Sequence, residues 1–281
     1  MSRVAYVNGA YVPLAQAAIS IQDRGFQFAD SIYEVWAVRD GRLYDAVEHL
    51  ARFKRSLEEL RIAAPMSETA LILVIHEVMR RNRVRDGIVY LQMSRGVANR
   101  DHVFPPASVK PTMVITAKNL DRRAIAKRAE LGVKVISVPE TRWARRDIKS
   151  VNLLPNVLAR QAAKEAGAFE AWFVDEDGFV TEGTSSTAFI VDAENRIRTR
   201  GLSHDLLHGV TRAVLLRIAR EHQMTVSETP FTIEEAKAAQ EAFISAASNP
   251  AVPVTAIDGA KIGKGWPGPV ARALRAAYLG A

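Results

Sequence analysis

The chain has 281 residues, 48% hydrophobic and 25% charged, a balance that excludes intrinsic disorder and suits one large domain or two modest ones. Its 38 lysines and arginines outnumber its 31 aspartates and glutamates for a net charge of +7, but they are scattered among acidic neighbours. No helix-turn-helix or zinc-finger spacing accompanies them, so no nucleic-acid partner is expected.

The absence of cysteine excludes disulfides, thiolate metal sites and a cysteine nucleophile, and fits a reducing compartment. The longest apolar run, Ala70 to Ile75, is cut by His76 and Glu77, so no membrane association is expected. Asn8-Gly9 interrupts the first apolar stretch, which removes the signal-peptide pattern; the expected location is the cytoplasm.

In chain order, residues 4–14 read as a hairpin turning at Asn8-Gly9, and Ile32 to Val38 as a strand turned back at Asp40-Gly41 into Leu43-Tyr44. Helical spacing follows over 46–61 (Val47, Leu50, Phe53, Leu57, Leu60) and over 67–82. Ile88 to Ser94 and Thr112 to Thr116 are strands. The polar run Lys118-Asn119-Leu120-Asp121 loses periodicity and reads as a linker.

The second half opens with a strand at Val133 to Val138. A helix of Leu154, Val157, Leu158 and Gln161-Ala162 stops at Gly167, and a hairpin turns at Asp177-Gly178. Strands at Ala188–Val191 and Ile197–Thr199 precede a helix from Val210 to Glu221. Short strands near 225–228, 242–245 and 252–257 alternate with a helix near 232–239, and an amphipathic helix closes the chain at 268–278. The pattern predicts an N-terminal α+β domain over 1–118, a linker at 119–122 and a C-terminal domain over 123–281.

Lys149 is the unusual residue, set between Ile148 and Val151 just ahead of a helix. Desolvation at such a junction disfavours the charged ammonium and makes the amine nucleophilic, which is what Schiff-base chemistry requires. The competing reading is a solvated lysine in a basic loop beside Arg142, Arg145 and Arg146. Five further patterns are each weak alone. Asp23-Arg24-Gly25 leads into Tyr33-Glu34, where Tyr33 faces either a cleft or the core. Arg52 sits on a helix with Glu48 at i−4, an ordinary helical pair as well as a candidate phosphate clamp. Arg100 and His102, two apart on a loop, can converge on a carboxylate or simply be solvated. Thr181-Glu182-Gly183-Thr184-Ser185-Ser186 follows a hairpin. Leu207-His208-Gly209-Val210-Thr211-Arg212 opens a helix whose N-terminal N–H groups suit an anion.

Taken in order, these pieces resemble the fold-type IV pyridoxal-phosphate (PLP) enzymes, and most closely their D-amino acid aminotransferases. The shared segments run from Asp23 to Arg212 and include Asp147-Ile148-Lys149-Ser150 with Asn152-Leu153-Leu154. The resemblance implies a two-domain α+β fold with the active site in the interdomain cleft, completed by a homodimer. It implies PLP as cofactor, bound to Lys149, which also moves the proton at the substrate α-carbon. Glu182 would face the pyridine nitrogen and Leu207 the ring. Arg52, Val210 and Thr211 would hold the phosphate, and Tyr33, Arg100 and His102 would trap the substrate carboxylate, the last two from the partner subunit. The reaction implied is ping-pong transamination of D-amino acids with 2-oxoglutarate or pyruvate. A branched-chain L-amino acid aminotransferase and an aminodeoxychorismate lyase share the same core motifs. One departure stands out: where the family supplies hydroxyls for the phosphate, this chain has Ala246 and Ala247, leaving Ser248 as the nearby hydroxyl.

Overall fold

The computed structural model describes residues 3–280. They form two compact units, one of residues up to Asp121 together with Ile148–Asn152, the other of Arg122–Asp147 and the chain from Leu153 onward. The five residues 148–152 thus leave the half of the chain to which their sequence position assigns them. The cause is apolar and local to the first unit: Ile148 is 4% exposed and packs into that unit's core. Ser150 forms a bridge with Ile32, and the Val151 N–H donates to the Ser31 carbonyl at 3.1 Å.

The first unit comprises β1 (Val4–Val7), β2 (Ala10–Pro13), α1 (Arg24–Phe28), β3 (Ser31–Arg39), β4 (Arg42–Leu43), α2 (Ala46–Glu59), α3 (Glu68–Asn82), β5 (Gly87–Ser94) and β6 (Thr112–Asn119). The strands make an antiparallel sheet in the order β2-β1-β6-β5-β3-β4. Asn8 and Gly9 both adopt positive φ (47° and 99°), as the tight β1–β2 turn requires. Alternate residues of β3 and β5 point into a core of Trp36, Phe53, Leu57, Ile75, Leu91 and Ile115. Burying each such side chain stabilises the fold by roughly 1.5–3 kcal/mol. β6 runs through Lys118 and Asn119, the first half of the expected linker, because both pair with β5.

The second unit comprises α4 (Arg122–Leu131), β7 (Val133–Pro139), α5 (Leu154–Glu165), β8 (Glu170–Val174), β9 (Val180–Gly183), β10 (Thr187–Val191), β11 (Ile197–Arg198), α6 (Val210–Glu221), β12 (Val226–Ser227), α7 (Ile233–Ala238), β13 (Glu241–Ala246), β14 (Asn249–Ile257), β15 (Ala260–Lys261) and α8 (Pro269–Leu279). Its mixed sheet runs β12-β11-β10-β13-β14-β7-β8-β9, with β15 on β14; β7 pairs in parallel with both β8 and β14. On one face Trp172 and Ile244 share a core with Phe231; on the other Phe189 and Phe243 share one with Leu215 of α6 and Leu274 of α8.

Two expectations change here. α4 has no counterpart in the sequence reading, because only Ala129 of its ten residues is buried and no apolar stripe marks it. α5 lies where its periodicity places it, but the face reverses. Leu154, Val157 and Leu158 are 69%, 59% and 63% exposed, while Ala159 and Ala163 pack against Ala171 and Phe173. Small residues let the helix approach β8 closely, so they take the inner face. Both units mix helices with a sheet, the α+β two-domain class that the sequence predicts.

Candidate active site

In the first unit the site is built on β3. Its Tyr33 N–H donates to the Lys149 carbonyl at 2.9 Å, so the 148–152 segment lies along the strand like a short extra rung. The Lys149 N–H donates to Ser56 Oγ of α2 at 3.3 Å. These bonds fix the backbone on both sides of the lysine, and its half-buried side chain places Nζ 4.2 Å from the centre of the Tyr33 ring. Tyr33 in turn stacks on Tyr90 at 5.7 Å. Tyr90 donates to Gln92 Oε1 at 2.8 Å, and burial, with Tyr33 beside it, pushes the Tyr90 phenol up to about 12, so it stays neutral.

The neighbouring strand residue, Glu34, points to the opposite face and is fully buried. It accepts two bonds from Arg52 of α2, Nε to Oε2 at 3.0 Å and Nη2 to Oε1 at 2.6 Å. His49 Nδ1 lies 2.9 Å from Oε1. Burial alone would raise the Glu34 pKa. The Arg52 charge and the His49 and Arg52 hydrogen bonds, with Lys149 adding its field, instead hold it well below the ordinary carboxylate range. Arg52 therefore pairs across to β3 rather than with Glu48 on its own helix. Arg100 and His102 lie on the irregular segment after β5, and both gather on Phe28: the Arg100 guanidinium is 5.1 Å and the His102 ring 5.5 Å from its centre.

In the second unit Glu182, on β9, is 5% exposed and is held by a charge-assisted hydrogen bond from Arg142 Nη1. The Leu207 N–H donates to the same carboxylate oxygen at 3.1 Å, which brings Leu207 to Glu182. Arg142 also grips Glu140 twice, Nε to Oε1 at 2.9 Å and Nη2 to Oε2 at 2.6 Å, and lies 4.3 Å over the Phe173 ring. Burial works against both charges, but their pairing wins: the Arg142 pKa rises and that of Glu140 falls. Sequence reading left Arg142 in a basic loop; its spacing of two from Glu140 was the available signal.

Val210 and Thr211 open α6 after Gly209, which offers no side-chain cap. A Cβ at Gly209 would lie 2.8 Å from Thr187 Oγ1, so the glycine permits the helix to start against β10. Thr187 pairs with Ser245 of β13, whose buried Oγ has no hydrogen-bond partner. Ser248 lies in the following β13–β14 turn and accepts from Asn249 Nδ2 at 3.1 Å. Glu170 is a further buried carboxylate that sequence reading missed. It is 1% exposed and takes hydrogen bonds from Thr184, Ser185 (3.1 Å) and Ser186 (3.0 Å), so it holds the hydroxyl run that follows Glu182.

Each unit carries groups whose chemistry suits a part of PLP. An uncapped helix start with a buried threonine and an unpartnered buried serine hydroxyl suits a phosphate, and an arginine-paired buried carboxylate suits a protonated ring nitrogen. A half-buried lysine held by its backbone suits a carbonyl partner.

Among known families, residues 31–257 match the one described as Amino-transferase class IV. The chain is 37% identical over 274 residues to the D-alanine aminotransferase of Staphylococcus haemolyticus, covering 97% of this chain and 95% of that protein. It is 38% identical over 270 residues to the D-alanine aminotransferase of Bacillus licheniformis, covering 96% and 94%. Among solved structures, the T.th. branched-chain amino acid aminotransferase with pyridoxamine 5'-phosphate superposes with a TM-score of 0.88 at 28% identity, covering 99% of this chain and 93% of that one.

Proposed function

The chain belongs to the class IV amino-transferases, and from that premise we propose that it is a PLP-dependent D-amino acid transaminase. The observation that carries the reading is its full-length likeness to D-alanine aminotransferases. The Arg100 and His102 pair gathered on Phe28 agrees with it, since two cationic-capable side chains on one loop suit a carboxylate.

In this reading an amino acid gives up its amine and leaves as a 2-oxo acid, and 2-oxoglutarate or pyruvate then takes the amine up. When bound, PLP supplies the carbonyl that receives the amine and a ring that withdraws electrons. Lys149 anchors the cofactor covalently through Nζ and moves the proton at the substrate α-carbon. Glu182, paired with Arg142, holds the proton on the ring nitrogen, while Leu207 packs against the ring. Arg52, Val210, Thr211 and Ser248 hold the phosphate; Ala246 and Ala247, which precede Ser248, have no hydroxyl to offer. Tyr33, Arg100 and His102 orient the substrate carboxylate, the last two from the partner subunit of a homodimer. Domain boundaries near 118 and 123 and a cytoplasmic location belong to the same proposal.

Likeness to the branched-chain enzyme favours a second reading, an L-specific branched-chain aminotransferase. Two experiments test the proposal. Borohydride reduction of the loaded protein followed by peptide mapping is expected to put the pyridoxyl group on Lys149; label on another lysine, or none, contradicts the assignment. One turnover of the loaded protein with D-alanine is expected to release pyruvate, whereas release of a 2-oxo acid only from L-leucine or L-valine, as the corresponding branched 2-oxo acid, favours the second reading.

A further inference from the structure

Arg24 carries a charge into a buried place for no reason that the reaction itself supplies. It is 3% exposed, on the short helix α1. That helix is rigidly seated. Asp23 caps it by accepting from the Gly25 N–H at 2.8 Å, and Ser94 Oγ of β5 donates to the other Asp23 oxygen at 2.9 Å. A Cβ at Gly25 would lie 2.7 Å from the Ser94 Cβ, so the helix can sit this close only with glycine there.

From this seat the Arg24 guanidinium reaches in two directions. Nε donates to Asp30 Oδ2 at 2.8 Å, which fixes the plane of the fork. Nη1 donates to the carbonyl of Asp101 at 2.6 Å and to that of Val103 at 3.3 Å. These two carbonyls bracket His102, on a segment with no regular secondary structure to hold it. Asp30 is fixed from the far side by Arg95, through bonds of 2.7 and 2.9 Å. Phe28, on the last turn of the same helix, completes the support: its ring has Arg24 at 4.8 Å, Arg100 at 5.1 Å and His102 at 5.5 Å.

We propose that Arg24 is a positioning residue for substrate recognition: anchored by Asp30, it holds the backbone on either side of His102 and so sets where Arg100 and His102 meet a carboxylate. The inference rests on the carboxylate-binding reading of those two residues. It explains why an arginine is buried at this point. A lysine is a point charge that can satisfy Asp30 but not, at the same time, two carbonyls in a second direction.

The test is a double-mutant cycle on the PLP-loaded enzyme, with Arg24→Lys, Arg100→Ala and both together. Arg24→Lys is expected to raise KM for D-alanine and for 2-oxoglutarate alike by about ten-fold, because both present an α-carboxylate, while kcat falls less than about two-fold. A merely structural role would lower the active fraction, hence kcat, and leave KM alone. In the double variant, KM is expected to stay within about two-fold of Arg100→Ala, since Arg24 acts through the loop that the first change has already disabled. Penalties that multiply in full, or a kcat loss at unchanged KM, overturn the proposal. If Arg100→Ala itself leaves KM unchanged, the carboxylate-binding reading fails first, and the two failures are thereby told apart. Should Arg24→Lys not fold, Phe28→Leu goes through the same cycle with the same outcomes expected, because it removes the ring between Arg24, Arg100 and His102 without removing a charge.

Discussion

Each unit has an arginine–carboxylate centre among its proposed site residues, and the two are wired in opposite senses. In the first unit a single buried carboxylate, Glu34, serves two neighbours: it accepts bonds from Arg52 Nε and Nη2 and lies against His49. In the second a single buried cation, Arg142, holds two carboxylates, Glu140 and Glu182. The group proposed to meet the cofactor is the arginine in one case and the carboxylate in the other, and in each the counter-ion is the part that stays behind. The difference lies in redundancy. Removing Glu34 takes away the carboxylate shared by two neighbours, whereas removing Glu182 leaves Arg142 with Glu140.

That contrast can be broken on one side at a time. The largest effect is expected from Glu34→Gln, which removes the charge opposite Arg52 in a fully buried place. Breaking a buried pair from one side costs about 3 kcal/mol. Denaturant unfolding of the variant is expected to show that loss, together with weaker cofactor retention; a midpoint equal to the parent's contradicts the role given to Glu34.

Glu182→Gln is expected to act on chemistry instead. Turnover should fall on the order of ten-fold while cofactor is retained, because the ring loses its counter-charge but Arg142 keeps a partner. A thermal midpoint close to the parent's is part of the expectation. Near-normal turnover would make Glu182 a structural partner of Arg142 only.

The smallest effect is on pH dependence. The pKa values of Glu34 and Glu140 are both lowered from 4.5, so each contributes stability that is complete above about pH 4.5. As pH falls through the folded-state values, protonation costs the native state its ion pairs, and stability is lost on the acid side. Thermal midpoints measured from pH 7 down to 3 are expected to drop below about pH 4.5, less steeply in Glu34→Gln. An identical slope in that variant would remove Glu34 from the account.

Much of this was legible in the sequence, and what was not has a common cause. α6 begins at Val210 and ends at Glu221 as read, because Gly209 and an apolar period of the helical type are local signals. The Asn8-Gly9 turn was legible for the same reason. Partners distant in sequence could not be read. Arg52 had Glu48 in helical register, yet tertiary packing brings it to Glu34, a residue on another element. The strand-like docking of 148–152 on β3 is also non-local, and so is the capture of the Asp101 and Val103 carbonyls by Arg24. α4 was missed because a mostly polar surface helix carries little periodic signal. The inner face of α5 was misread because alanines, not leucines, make the close contact there.

The hand of the substrate is the central claim. The direct measurement is kcat/KM for D-alanine and D-glutamate against L-leucine and L-valine, with 2-oxoglutarate as acceptor and PLP saturating. A clear preference for the D-amino acids is the predicted result; faster turnover of L-leucine or L-valine would contradict it.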